Sequence, residues 1–136
     1  MHVVVRGLMA AGMGIYAAMH LQQALSPPPG APTWLTVAFA TAALVALVLA
    51  ILLIAASERT QGRWEWAAAL LAGTSALALV ASYTVGFFGV VESDLRPETA
   101  VVAVAEVITL VAFAIGRIAV APEPEDAPVR TRAGTS

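Results

Sequence analysis

The sequence predicts an all-α protein, an integral membrane four-helix bundle of up-down topology with both termini cytoplasmic. Hydrophobic residues make up 60% of the 136-residue chain and charged residues only 12%, which leaves too little polar surface to coat a water-soluble globule. Four apolar segments approach the roughly 20 residues that a spanning helix needs. Short connections between them favour an antiparallel bundle.

The first helix, about 3–25, is predicted to end at "SPPPGAP", because successive prolines fix φ and supply no amide donors. The second, about 34–56, contains no charged residue. The third, about 66–91, and the fourth, about 99–121, are separated by "ESDLRPE", whose Pro97 suits the first turn of a helix. These helices make one transmembrane domain.

Residues 1–121 form this domain, and residues 122–136 are predicted to be a disordered cytoplasmic tail. The tail is rich in proline and charge and short of large apolar groups, so it lacks the material for a packed core.

The arginines predict the orientation of the helices. With a cytoplasmic N-terminus, six of the seven basic residues lie on the cytoplasmic side, where arginine and lysine are favoured, and only Arg96 lies outside. The six are Arg6, Arg59, Arg63, Arg117, Arg130 and Arg132. This distribution predicts a multi-pass protein of the cell membrane. An alternative is that the first segment is a cleaved secretory signal, since it has a basic start, an apolar middle and a small-residue exit.

Three polar side chains are predicted to share one depth in the outer half of the membrane. At about 1.5 Å of rise per residue, Glu106, His20 and Tyr83 lie roughly 9 to 12 Å inside the outer ends of their helices. A bare carboxylate facing lipid costs several kcal/mol, so Glu106 should face protein or water. His20 is a candidate partner that could make the pair respond to external pH. The alternative is a purely structural, hydrogen-bonded acid.

The helical faces extend this predicted polar cluster. Tyr16 and Gln23 share a stripe with His20, while Thr109 and Arg117 fall near one line with Glu106. The adjoining face of the first helix is made of small residues, which let helices approach closely. They are Gly7, Ala10, Ala11, Gly14 and Ala18.

The motifs that the sequence lacks argue against an enzyme. There is no cysteine, phosphate-binding glycine loop, pair of histidines at helical metal spacing or serine elbow. We therefore expect no catalytic residue, metal or cofactor. The net charge of −2 gives no reason to expect nucleic acid as a partner.

The stretches "SYTVGFFGVVE" and "VVAVAEV", and more loosely "AMHLQQAL", resemble small four-helix membrane proteins of unknown function from high-GC actinobacteria. That resemblance implies a cytoplasmic-membrane protein with recurrent polar and glycine positions. In this chain they are His20, Tyr83, Gly86, Gly89, Glu92 and Glu106. A looser similarity is to DoxX-like four-helix proteins, without the cysteines that would support a thiol-linked role.

Two functional classes follow from the sequence. The favoured expectation is a non-catalytic membrane subunit or scaffold, in which the polar cluster fixes helix register and the partners are lipid and another membrane protein or a second copy of the chain. The alternative is a small homo-oligomeric transporter or channel-like protein that handles protons or cations through Glu106 and His20. Small multidrug transporters are an analogy, although their embedded glutamate is in the first helix.

Overall fold

The computed structural model describes residues 2–27, 29–86 and 96–119. It is all-helical, as predicted, and each of its four helices is long and apolar enough to cross a membrane. The helices are α1 (His2–Leu25), α2 (Thr33–Ala55), α3 (Glu58–Thr84) and α4 (Pro97–Ile118). The predicted tail lies outside the described residues.

Contacts between helix ends show that neighbouring helices run antiparallel. Arg6, near the start of α1, reaches the end of α2. Trp66, early in α3, packs edge-on against Phe113, late in α4, with ring centroids 4.7 Å apart. Since α1 also packs along α4, the ring of helices is closed, and α1 and α4 lie side by side.

The α1 and α4 helices approach closely at Gly12. A Cβ atom there would lie 2.3 Å from Oγ1 of Thr109 and 3.0 Å from the carbonyl oxygen of Ala105, so only glycine fits. By contrast, Gly7 and Gly14 have nothing within 4 Å of the corresponding position. The two glycines of the predicted small-residue face therefore make no such contact, whereas Ala10 of that face is buried.

The α3 helix begins and ends earlier than the sequence predicts. It starts at Glu58 rather than near residue 66. Ser57 holds the extended conformation of an N-cap, its carbonyl accepts amide hydrogens from the first turn, and an acid at the first position favours a helix N-terminus. The helix stops at Thr84 because Gly86 adopts φ of 80°, a left-handed conformation that commonly terminates helices.

The guanidinium of Arg6 caps the C-terminal end of α2. Its Nε donates to the carbonyl of Leu53 at 2.8 Å, and one terminal nitrogen donates to the carbonyls of Ile54 at 3.2 Å and Ala56 at 3.1 Å. The last carbonyls of a helix have no partners within the helix and carry partial negative charge. One cation thus ties the start of α1 to the end of α2.

The bundle buries mainly small residues and leaves large apolar ones outside. Met9, Met13 and Tyr16 of α1 are buried at its centre, whereas α3 buries only alanines and Ser82. Much of the outer surface of α2 is leucine, isoleucine and valine. Such an exterior suits a lipid environment, and the small interior side chains leave space between the helices.

Candidate functional site

A cavity of 330 Å³ lies between the four helices, in the half of the bundle that contains the α1–α2 turn. It is lined by the last part of α1, the first part of α2, the last part of α3 and the first part of α4. Small residues on α2 and α3 account for the space, since Ala38, Ala42, Ser75, Ala78 and Ser82 all face it. The volume is at the lower end of the range for small-molecule sites.

Glu106 is the acidic residue in the lining of this cavity. Its side chain belongs to α4 and is only 1% exposed. One carboxyl oxygen, Oε1, is buried and has no hydrogen-bond partner within the part of the chain that the structure describes. Because an unsatisfied buried polar atom is costly, its presence next to an open cavity calls for a physical explanation.

Two hydroxyl groups lie beside the carboxyl of Glu106. Ser75 of α3 is close enough to interact with both the Glu106 carboxyl and the Tyr16 hydroxyl, and Tyr16 is close enough to sense the charge of Glu106. Three helices therefore contribute to one polar cluster, which we call the Glu106 cluster (Tyr16, Ser75 and Glu106). These contacts leave Oε1 of Glu106 unsatisfied.

His20 forms an aromatic wall of the cavity with two neighbours. Its ring stacks on Tyr16 with centroids 4.0 Å apart and meets Phe39 edge-on at 5.4 Å. The Nδ1 atom lies 3.1 Å from the carbonyl oxygen of Tyr16. Since a carbonyl can only accept, Nδ1 carries the hydrogen, and in the neutral ring Nε2 is then the acceptor. Nε2 makes no hydrogen bond to any described residue.

The structure brings two of the three predicted cluster residues to one cavity. His20 and Glu106 both line it, but within the described ranges no hydrogen bond or ion pair joins them. Tyr83 is half-buried on α3 and is not part of the lining. The neighbouring Ser82 lines the cavity instead.

The secondary candidates have separate locations. Tyr16 and Gln23 line the cavity. Thr109 is fully buried and donates to the carbonyl of Ala105 at 2.9 Å, one turn back in its own helix. Arg117 is at the opposite end of the bundle, and Glu92 lies outside the described residues.

At that opposite end, Arg117 forms an ion pair with Glu65. Its terminal nitrogen lies 2.6 Å from the Glu65 carboxylate, and the guanidinium carbon lies 5.7 Å from the ring of Trp66 and 5.0 Å from that of Phe113. This arrangement joins α3 to α4. It gives Arg117 a structural role away from the cavity.

Sequence reasoning missed Ser75 and Phe39. Ser75 and Ser82 are seven residues apart in α3, a spacing that places two hydroxyls on one helical face and would have indicated an inward orientation. Phe39 lies in α2, which is apolar on every side of the helix. No pattern in the sequence distinguishes it from its neighbours.

The chain was compared with known protein families, curated proteins and solved structures. Nothing matches it. The resemblance to small actinobacterial membrane proteins therefore stays a prediction, and the function has to be argued from the site itself.

The polar groups of the cavity suit a ligand that donates hydrogen bonds or carries a positive charge. Among the described residues no group of three histidine, aspartate or glutamate side chains is placed to hold a metal ion. The lining of the cavity includes the carboxyl of Glu106, whose Oε1 is without a partner among the described residues, the imidazole of His20 and several hydroxyl groups. A proton or a small cation with hydrogen-bond donors would satisfy these acceptors.

Proposed function

We propose that this chain is a multi-pass protein of the cell membrane that binds a small cation or exchanges a proton at Glu106. This is the transporter or channel-like class that the sequence left as the alternative. The single observation that supports it is the unpartnered carboxyl oxygen of Glu106, buried beside a 330 Å³ cavity. A closed structural site would instead be expected to satisfy that oxygen.

The membrane setting is supported by the surface of the bundle. Four helices have the length and hydropathy of membrane spans. Large apolar side chains are exposed on all of them, among them Leu8, Ile51, Leu70 and Val107. Patches of this extent are rare on soluble monomers.

The proposed orientation rests on the distribution of arginines over the two ends of the bundle. Arg6 and Arg117 lie near the end at which α1 starts and α4 ends, and Arg59 and Arg63 lie in the first turns of α3 at the same end. Arg96 lies at the other end. The positive-inside rule makes the arginine-rich end cytoplasmic, so the cavity lies toward the outside.

A structural role for Glu106 is the second candidate, and the position of Ser75 favours it. A serine hydroxyl beside the carboxyl could link α3 to α4, which would fit a membrane subunit or scaffold. In that case the carboxyl would stay protonated, and glutamine would replace it with little effect on assembly.

Infrared difference spectroscopy in lipid distinguishes the two candidates. The carboxyl band would be followed from about pH 4 to about pH 9, a range that spans the ordinary glutamate and histidine values. Wild type would be compared with Glu106→Gln and His20→Ala. The matched control would be Glu98→Gln, because the Glu98 carboxylate does not line the 330 Å³ cavity. A cation or proton site predicts a band that titrates, is absent in Glu106→Gln and shifts in His20→Ala.

A wild-type carboxyl band that never titrates, together with a Glu106→Gln protein that assembles normally, would refute the proposed function. It would support the subunit or scaffold role instead.

A further inference from the structure

We infer that the cavity takes a small organic ammonium ion, an amine with an aromatic or short aliphatic body. This inference rests on the proposed cation site and names the class of its ligand. It follows from three features of the cavity: its set of acceptors, its apolar and aromatic walls, and the lining residues that it shares with a second cavity at the end of the bundle.

The acceptors suit an ammonium group. A protonated primary amine has three N–H donors and no acceptor. Among the described residues Oε1 of Glu106 is an acceptor without a partner. Nε2 of His20, in the neutral ring fixed by the Nδ1 contact, and the hydroxyl of Ser75 can accept as well. One carboxylate also balances one positive charge, so the buried pair would be neutral overall.

A bare metal ion suits the same site poorly. Hard cations such as calcium need about six to eight oxygen ligands, many of them carboxylates. The lining contains one carboxylate and one imidazole, and its other groups are hydroxyl, amide, indole and apolar. An organic cation needs fewer ligands because its body is stabilised by apolar contacts.

The remaining walls provide those contacts. Phe39 and the stacked rings of Tyr16 and His20 present aromatic surface, and a cation near an aromatic face is stabilised further. Leu71 and Leu79 complete an apolar side. A cavity of 330 Å³ accommodates a molecule with one ring or a short chain rather than a polycyclic drug.

A second cavity of 320 Å³ adjoins the first at the end of the bundle. The two share lining residues, namely Gln23, Leu35, Phe39 and Thr99. The second cavity also borders the proline-rich α1–α2 turn and the charged pair of residues Arg96 and Glu98. If the cation site faces outward, this second cavity is the polar side from which a ligand would approach Glu106.

The test is equilibrium binding of phenethylamine to the full chain in lipid nanodiscs, with empty nanodiscs as the blank for partition into lipid. Its neutral analogue 2-phenylethanol and sodium ion are the comparison probes. We expect phenethylamine to bind at least about 25-fold more tightly than 2-phenylethanol. Glu106→Gln should lose a similar factor, about 2 kcal/mol at 1.4 kcal/mol per tenfold.

A pair of cavity variants tests the site without changing the acid. Ala78→Phe adds a ring at a position that lines the cavity, whereas Leu77→Phe adds one at a neighbouring position that is 72% exposed. Only Ala78→Phe should abolish phenethylamine binding. If Glu106→Gln fails to assemble, this pair of variants still tests the inference. Thermal unfolding of each variant checks that it is folded.

The outcomes separate this inference from the proposed function. If sodium ion or pH changes the Glu106 carboxyl band but phenethylamine neither binds nor alters it, the ammonium inference is wrong and the cation or proton site stands. Binding that is equal in Glu106→Gln or in Ala78→Phe would also overturn the inference. If neither phenethylamine, sodium ion nor pH affects Glu106, both proposals fail.

Discussion

Replacing Gly12 by alanine should destabilise the bundle, even though alanine is the better helix former. The new Cβ would lie 2.3 Å from Oγ1 of Thr109, whereas ordinary contact begins at 3.4 Å. Thr109 cannot move aside freely, because it is fully buried and hydrogen-bonded to the carbonyl of Ala105. That carbonyl would itself lie only 3.0 Å from the methyl group. The two helices must therefore separate.

The expected cost can be worked out from two opposing terms. Overpacking of this kind costs about 1 to 3 kcal/mol, and exchanging glycine for alanine in a helix returns up to about 1 kcal/mol. We therefore expect a net loss of up to about 2 kcal/mol in the free energy of unfolding relative to wild type, and of about 1 to 3 kcal/mol relative to a glycine-to-alanine change without the clash. The matched control is Gly14→Ala in the same helix, where the methyl group meets nothing within 4 Å and stability should be unchanged or slightly higher.

Reversible unfolding in mixed detergent micelles measures both variants. Thr109→Ala combined with Gly12→Ala should recover part of the loss, because it removes the nearer of the two clashing atoms, and a double-mutant cycle would quantify this coupling. Equal stability of the Gly12→Ala and Gly14→Ala proteins would refute the close α1–α4 contact.

Two further predictions concern the arginine-rich end. Arg6→Gln should lower the free energy of unfolding by about 2 to 3 kcal/mol, since it removes charged hydrogen bonds to the end of α2. Arg6→Lys should lower it by less than Arg6→Gln but should not restore the wild-type value, because an ammonium group lacks the planar set of donors of a guanidinium. Arg59→Gln, at an exposed position, is the control in the same unfolding assay. Arg117→Gln should cost less than about 1 kcal/mol because its ion pair with Glu65 is partly exposed, and a loss well above that value, or one insensitive to salt, would contradict this estimate.

The number of helices and the shared location of His20 and Glu106 could be predicted because both depend on distance along the chain. A helix has a fixed rise per residue, so counting from the helix ends places both residues in the same half of the bundle, where one cavity contains them. Tyr83 was placed at a similar depth by the same count. Depth does not specify which way a side chain points, and Ser82 rather than Tyr83 lines the cavity.

The parts that the sequence did not predict depend on rotation about helix axes. Gly7, Gly12 and Gly14 are all glycines in the apolar part of α1, so the sequence does not distinguish them. Only Gly12 faces α4 closely enough for a Cβ atom to clash with it. Likewise, the pairing of Arg117 with Glu65 joins residues 52 positions apart. No local pattern in either helix could have indicated that pair.

The cap that Arg6 places on α2 also bears on how the chain is assembled during synthesis. Its carbonyl acceptors lie 47 to 50 residues later in the sequence. Until synthesis has reached the end of α2, the guanidinium of Arg6 lacks these acceptors. Of the four described helices, α1 and α2 are the first two to be synthesised, so this contact can form before α3 and α4 are complete.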